Sequence, residues 1–178
     1  MKIRKLPPVK YLDECFLYEP LTGKLFWRNR PRKHFRTTAT FKMWNGRWAS
    51  KEAFHTGKRG YRTGSLDSSY CAAHRVIYKI MLRKEPPPVL DHRDRNTGNN
   101  RWKNIRPATK PQNGVNRAVL VANACGHTGV HKHNNKNRWV AQLGVLRGKR
   151  YLGIFDSKEK AARVRNAAAK KHYGEFVS

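Results

Sequence analysis

Apolar positions in this chain come in short, closely punctuated runs, and the period of each run predicts a small element. Val9 to Phe16 has the spacing of a short helix, after which Thr22-Gly23 turns the chain into a strand-like run, Lys24 to Trp27. From Arg28 to Ser50 regular periodicity fades while Arg28, Arg30, Arg32, Lys33 and Arg36 crowd together, so the stretch reads as an extended, DNA-facing loop. Tyr61 to Leu66 and Tyr70 to Ala73 flank the turn residues Asp67-Ser68-Ser69 and predict a hairpin. Within His74 to Leu82, Val76, Ile77, Ile80 and Met81 stand at helical spacing, and Pro86-Pro87-Pro88 ends that helix ahead of a short apolar strand, Val89-Leu90. A second strand fits Asn104 to Ala108. Thr109-Lys110-Pro111-Gln112 then has the form of a capping box, with Pro111 in the first turn where its missing N–H costs little, so a helix starts there.

The run 116–126 lacks a clear period and reads as a linker. Beyond it lie three predicted strands, Gly129 to Lys132, Arg138 to Val145 and Arg150 to Phe155, separated by the turns Asn134-Asn135-Lys136-Asn137 and Arg147-Gly148-Lys149. Asp156 with Glu159 predicts the start of a helix whose Ala161, Ala162, Ala168 and Ala169 form a small-residue face suited to close packing on a sheet. The outline is an α+β protein of two modules, 1–115 and 127–178, joined by the linker.

Composition sharpens this picture. At 178 residues and 38% apolar content, two small modules are favoured over one large core. Lys and Arg number 39 against 11 Asp and Glu, a net charge of +28, which calls for a polyanionic partner to relieve the self-repulsion. No stretch approaches the roughly 18 apolar residues of a spanning helix, and the start, MKIRKLPPVK, lacks the apolar core of a signal peptide, so an intracellular protein without a membrane role is expected. An aromatic content of 11% argues for folded modules over a disordered basic tail. Nucleic acid is the leading partner. Cys15, Cys71 and Cys125 are isolated and never form C-x-x-C, which removes a disulfide framework and a paired-thiolate structural zinc site, and they read as small core hydrophobes.

The segment from Leu90 to Asn113 is the richest in chemistry. It gathers carboxylates, an imidazole and several amides in a strongly cationic setting. Hydrolysis of a phosphodiester needs those parts: a base to deprotonate water, and a divalent ion, held by hard oxygen donors, to neutralise charge on phosphate and leaving oxygen. Asp91-His92, Asn96, Asn100, Asn104-Ile105-Arg106, Thr109 and Asn113 fall in register with the pattern D-H-x-x-x-N-x-x-x-N-x-x-x-N-L-R-x-x-T-x-x-x-N, with Ile105 in place of Leu. In this the sequence resembles the HNH nucleases, especially the phage-encoded and homing-type group. The resemblance implies a ββα-metal hairpin and helix, with His92 as general base and Asp91 and Asn113 holding one divalent metal ion, Mg2+ with Mn2+ as the alternative. It further implies that Asn104 hydrogen-bonds across the loop and fixes its shape. Neighbouring strand residues point to opposite faces, so Asp91 and His92 share a site only if the strand ends or twists there, and Asp94 is the substitute ligand. Arg75 stands beside His74 where the family carries an H-R pair and is expected to contact phosphate or support the site, with His74 in the core. Arg93, Arg101 and Arg106 are expected to clamp the phosphate backbone, whereas Asn96 and Asn99 read as turn formers.

In the last fifty residues Gly129-Val130, Trp139-Val140-Ala141, Leu152-Gly153-Ile154-Phe155, Ala161-Ala162 and Tyr173-Gly174 follow the landmark order of the plant ethylene-response-factor (AP2/ERF) type of DNA-binding domain, which the sequence resembles. The resemblance implies a three-stranded antiparallel sheet backed by one helix, entering the major groove of double-stranded DNA, with Lys132, Arg138, Trp139, Arg147 and Arg150 as contacts; Trp139 reads equally as a core anchor, and Lys132 and Arg147 as solvated turn charges. Two other readings stand beside the endonuclease: a non-catalytic DNA-binding regulator on the same scaffold, and an RNA-binding protein. Monomer and dimer are both compatible with the sequence.

Overall fold

The computed structural model describes residues 5–116, 125–134 and 137–177. Most of the expected linker, and Asn135-Lys136 of the expected turn, lie outside the described residues. Two compact units emerge, Met1–Pro107 and Ala108–Ser178.

In the first unit, helix α1 (Val9–Cys15) runs directly into strand β1 (Phe16–Glu19), which pairs antiparallel with β2 (Lys24–Trp27). Gly23, in the connecting turn, has φ +78°, and a Cβ there would stand 2.4 Å from the backbone nitrogen of Arg101. Only glycine satisfies both conditions. Gly23→Ala is therefore expected to lower stability by about 1–3 kcal/mol, read from the midpoint of denaturant unfolding.

The segment 28–50, expected to be an extended loop, instead contains α2 (Thr38–Trp48). Its N-terminus is closed by a reciprocal pair, Thr37 accepting from the backbone N–H of Thr40 and the Thr40 hydroxyl accepting from that of Thr37. No residue of α2 is fully buried, so it lacks the apolar stripe by which helices are recognised in sequence. Arg30, one of the crowded cations, is not a surface charge. It is 4% exposed, donates to Asp67 Oδ1 at 2.9 Å and to the Tyr11 hydroxyl, and its guanidinium lies 5.0–5.6 Å from the rings of Tyr11, Phe35 and Trp44.

Strands β3 (His55–Thr56), β4 (Arg62–Leu66) and β5 (Ser69–Ala72) form an antiparallel sheet in that order. The expected hairpin is present, with Asp67 and Ser68 both at positive φ, the conformation that matches strand twist in a two-residue turn. Helix α3 (Ala73–Leu82) follows without a break and packs on α1 and on β4 and β5, burying Val76 and Ile77 against Leu12, Cys15, Phe16 and Leu25. After the prolines, β6 (Leu90–His92) pairs antiparallel with β7 (Ile105–Pro107).

The second unit opens with α4 (Lys110–Val115), capped as the sequence predicts by the Thr109 and Gln112 box. Its Val115 packs with Leu143, Ala169, Tyr173 and Phe176, which is why the unit boundary falls at 107 and not at the expected 115. Strands β8 (Val130–Lys132), β9 (Trp139–Val145) and β10 (Gly148–Phe155) form an antiparallel sheet, order β10-β9-β8, backed by α5 (Lys158–Tyr173). The cap of α5 is Ser157, whose hydroxyl accepts from Lys160 N at 3.1 Å, and not Asp156, which pairs with Arg138. All three cysteines are buried. Burial pushes the Cys15 thiol up to about 12 and that of Cys71 up to about 11, well away from thiolate reactivity. No helix among the described residues is long and apolar enough to cross a membrane.

Candidate active site

The β6–β7 hairpin presents Asp91 and His92 at the end of β6 and joins its strands through the loop 93–104. Asp91 lies directly opposite Arg106 in the ladder, and Oδ2 accepts from Nε at 2.9 Å and from the terminal nitrogen at 2.8 Å. Both side chains are about 5% exposed, so this is a buried ion pair. His92, one residue on, has other partners: Nε2 is 3.2 Å from Asn100 Oδ1, and its ring stands edge-on to His74 at 5.3 Å and to Tyr61 at 5.8 Å. This separation follows from the alternation of a strand. The strand does end at His92, and the carboxylates of Asp91 and Asp94 still act on the imidazole electrostatically.

Burial lowers the affinity of His92 for a proton below that of an ordinary histidine, and the Asn100 hydrogen bond and the two carboxylates offset this only in part. His74 is driven further, to about 3, by burial and then by its neighbours His92 and Arg75. Two neutral imidazoles and a tyrosine ring therefore meet at one place. Tyr61 was not singled out by the sequence, because the ring reaches the site from the approach to β4, far from the motif.

Hydrogen bonds knit the loop tightly. Asn104, 8% exposed, donates to Asp94 Oδ1 at 2.9 Å and to the Asn99 carbonyl at 2.7 Å, and accepts from Asp94 N at 3.0 Å. Asp94 also accepts from Asn96 N and from Asn99 Nδ2. Burial alone would raise the Asp94 carboxyl, but these hydrogen bonds hold it below the usual carboxylate range. Its oxygens thus serve the loop, which argues against Asp94 as substitute metal ligand. Asn96 is a turn former, accepting from Gly98 N at 3.0 Å. The hairpin turn of β1–β2 braces the loop from outside: Tyr18 donates to the Asn100 carbonyl at 2.8 Å and Arg101 Nε to Leu21 O at 2.9 Å. A cavity of about 420 Å3 borders the loop at Asn96, Gly98 and Asn100.

The expected phosphate contacts divide. Arg106 is buried with Asp91, and Arg75 donates to the carbonyls of Pro87 and Pro86, holding the proline segment that leads into β6. Neither guanidinium is displayed as a surface clamp. Arg93 and Arg101 are exposed. Asn113 sits half-buried in α4, its backbone N–H bonded to Thr109 O at 3.0 Å. Among the described residues, no three His, Cys, Asp or Glu side chains cluster as a metal site.

In the second unit Trp139 packs with Val130, Ala141, Ala161 and Ala162 on the helix side of the sheet, so it anchors the core and does not face outward. The Lys132 ammonium lies 5.8 Å from its ring, and Arg138 pairs with Asp156 at 3.1 Å. Arg147 and Arg150 are exposed. Strand alternation puts Gln142 on the other face, with its register partner Tyr151, which is 58% exposed, and with His131 opposite Val140. The landmark order gave no signal for these three.

Residues 71–115 match the family model described as HNH endonuclease. A protein of Acanthamoeba polyphaga mimivirus, described as an uncharacterized HNH endonuclease, is 31% identical over 133 residues, covering 72% of this chain and 67% of the viral protein. No solved structure matches the chain significantly. The hairpin with its imidazole, amides and carboxylates thus has the sequence of a nuclease site. The chain belongs to the HNH endonuclease family and is a phosphodiester hydrolase. The ethylene-response-factor resemblance of the second unit has no counterpart in these comparisons.

Proposed function

We propose that the protein is a metal-dependent DNA endonuclease in which the first unit carries the base and the second holds the enzyme on duplex DNA. The observation that carries this reading is His92, buried, neutral and oriented by Asn100 within a loop whose spacing continues in register to Asn113. Asn100 Oδ1 stands 3.2 Å from Nε2 and orients the ring, which takes a proton from water. That water attacks the scissile phosphorus in line, leaving a 5′ phosphate and a 3′ hydroxyl. Asp91 and Asn113 would hold one divalent ion, Mg2+ or Mn2+, since both offer the hard oxygen donors such ions prefer, and Arg106 fixes the Asp91 carboxylate. When bound, the ion supplies charge neutralisation at the phosphate and the departing oxygen.

Arg93 and Arg101 are the loop's phosphate contacts in this reading, while Arg75 and Arg106 position the strands. The three-stranded antiparallel sheet with its single helix supports the AP2/ERF-type reading of the second unit. The face away from the helix, with His131, Gln142 and Tyr151, and the exposed Arg147 in the turn before β10 are the groove-facing set, since a β-ribbon fits the major groove, whereas Arg150, opposite Leu143, lies on the helix side.

Incubating supercoiled plasmid with protein and Mg2+ tests the reading. Nicked or linear product that disappears with EDTA is expected, and no cutting of any DNA with either metal would leave only a DNA-binding scaffold. Duplex DNA should outcompete RNA of equal length. With about six phosphate contacts, affinity for duplex should fall about a thousandfold between 50 and 200 mM salt, measured by fluorescence anisotropy; a flat salt profile would contradict a phosphate-dominated interface.

A further inference from the structure

A second cavity in the first unit, about 510 Å3, opens between α2, β2 and β4, apart from the β6–β7 loop. Its walls are aromatic: Trp27, Phe35, Trp44, Trp48 and Phe54. Trp27 packs edge-on against Trp44 and Phe54 at 5.1 and 5.8 Å, so these walls are held by one another. Polar groups close the rest. Asp67 and Glu52 supply carboxylate oxygens, each also paired to an arginine, and Ser65 supplies a hydroxyl.

We propose that this cavity seats one unpaired base of bound DNA. The proposal rests on the DNA-cutting reading above and adds a subsite to it. A flat heteroaromatic ring meets indole and phenyl faces on its sides and hydrogen-bonding groups at its edge, which is how unstacked bases are held. An aliphatic ligand would leave the polar part of the lining, Ser65, Arg30, His34 and His55 among it, without use. Charge on the rim favours a nucleotide in particular. Trp48, 39% exposed, has the Arg47 guanidinium 5.1 Å from its ring, and Lys51 is exposed three residues further on, where the phosphates flanking an inserted base would run. Glu52 lines both this cavity and the one bordered by Asn96, Gly98 and Asn100. A strand leaving the aromatic cavity past Glu52 therefore runs toward the loop that follows His92 and holds Asn100 against it.

The test uses the full chain in EDTA with two duplexes that carry 2-aminopurine, a fluorescent base, either paired or as a single unpaired bulge. Stacking on aromatic side chains is worth roughly tenfold in affinity per base, so the bulged duplex should bind about tenfold more tightly, with quenched 2-aminopurine emission. Trp48→Ala and Ser65→Tyr, which fills the cavity from β4, should each bring the ratio of the two affinities to one, and Trp48→Phe should keep it. Thermal unfolding confirms that each variant is folded. Equal affinity of the wild type for both duplexes overturns the proposal, as does a preference that survives both Trp48→Ala and Ser65→Tyr. Plasmid nicking in Mg2+ by the same preparation separates the two readings. A wild type that nicks but shows no bulge preference loses the subsite alone, and one that neither nicks nor binds DNA loses both.

Discussion

Replacing His92 by alanine is expected to slow strand cutting by about 10²–10⁴-fold, the usual contribution of a positioned general base. The ring is 3% exposed and its burial keeps it neutral, so under ordinary conditions it is ready to accept a proton without first losing one. Asn100 orients the ring through its contact with Nε2. Because removal of a buried ring also leaves a cavity, His92→Gln is the companion variant: similar in bulk, able to bond Asn100, and unable to act as a base. Rates of supercoiled-plasmid nicking, alongside thermal unfolding, check the prediction. Folded His92→Gln protein that cuts at the wild-type rate would remove His92 from the chemistry.

Truncating Arg106 should give the largest loss of stability. Asp91 and Arg106 lie opposite each other in a two-stranded ladder, both about 5% exposed, and the guanidinium meets one carboxylate oxygen through two N–H groups. Removing one partner of such a pair leaves a charge in a medium that solvates it poorly. Arg106→Met is therefore expected to destabilise by about 3–5 kcal/mol, whereas Asp91→Leu combined with Arg106→Met should recover most of that, because an apolar pair carries no desolvation penalty. Denaturant unfolding of the two single variants and the double gives the coupling. A loss below about 1 kcal/mol in Arg106→Met would mean that the pair is solvated. The double variant should nonetheless be inactive, since it lacks the proposed metal-binding carboxylate; stability and activity would then part company, as a residue serving both roles requires.

The split between Arg106 and its neighbours shows what a linear motif conceals. Arg93, Arg101 and Arg106 look alike in sequence, all cations within the segment that matches the family model. The ladder register alone decides that Arg106 faces Asp91 and is buried, while Arg93 and Arg101 stay exposed. The same holds for Arg75, whose side chain is spent on proline carbonyls that have no hydrogen-bonded ladder to satisfy them. Trp139 follows the same logic, since one residue of strand alternation separates a groove contact from a core anchor.

The sequence by itself determined the mixed helix-and-sheet character, the hairpin ahead of α3, the Thr109 cap and the three strands with their helix, because these depend on local periodicity and turn chemistry that each segment carries within itself. It also determined the family, because the register from Asp91 to Asn113 is a one-dimensional property. Only the tertiary structure decided that α2 exists, that Arg30 lies among aromatic rings, that Tyr61 and His74 meet His92, and that α4 groups with the second unit. Those facts arise from contacts between residues distant in the chain, where burial and electrostatic environment are set by neighbours that no local pattern records.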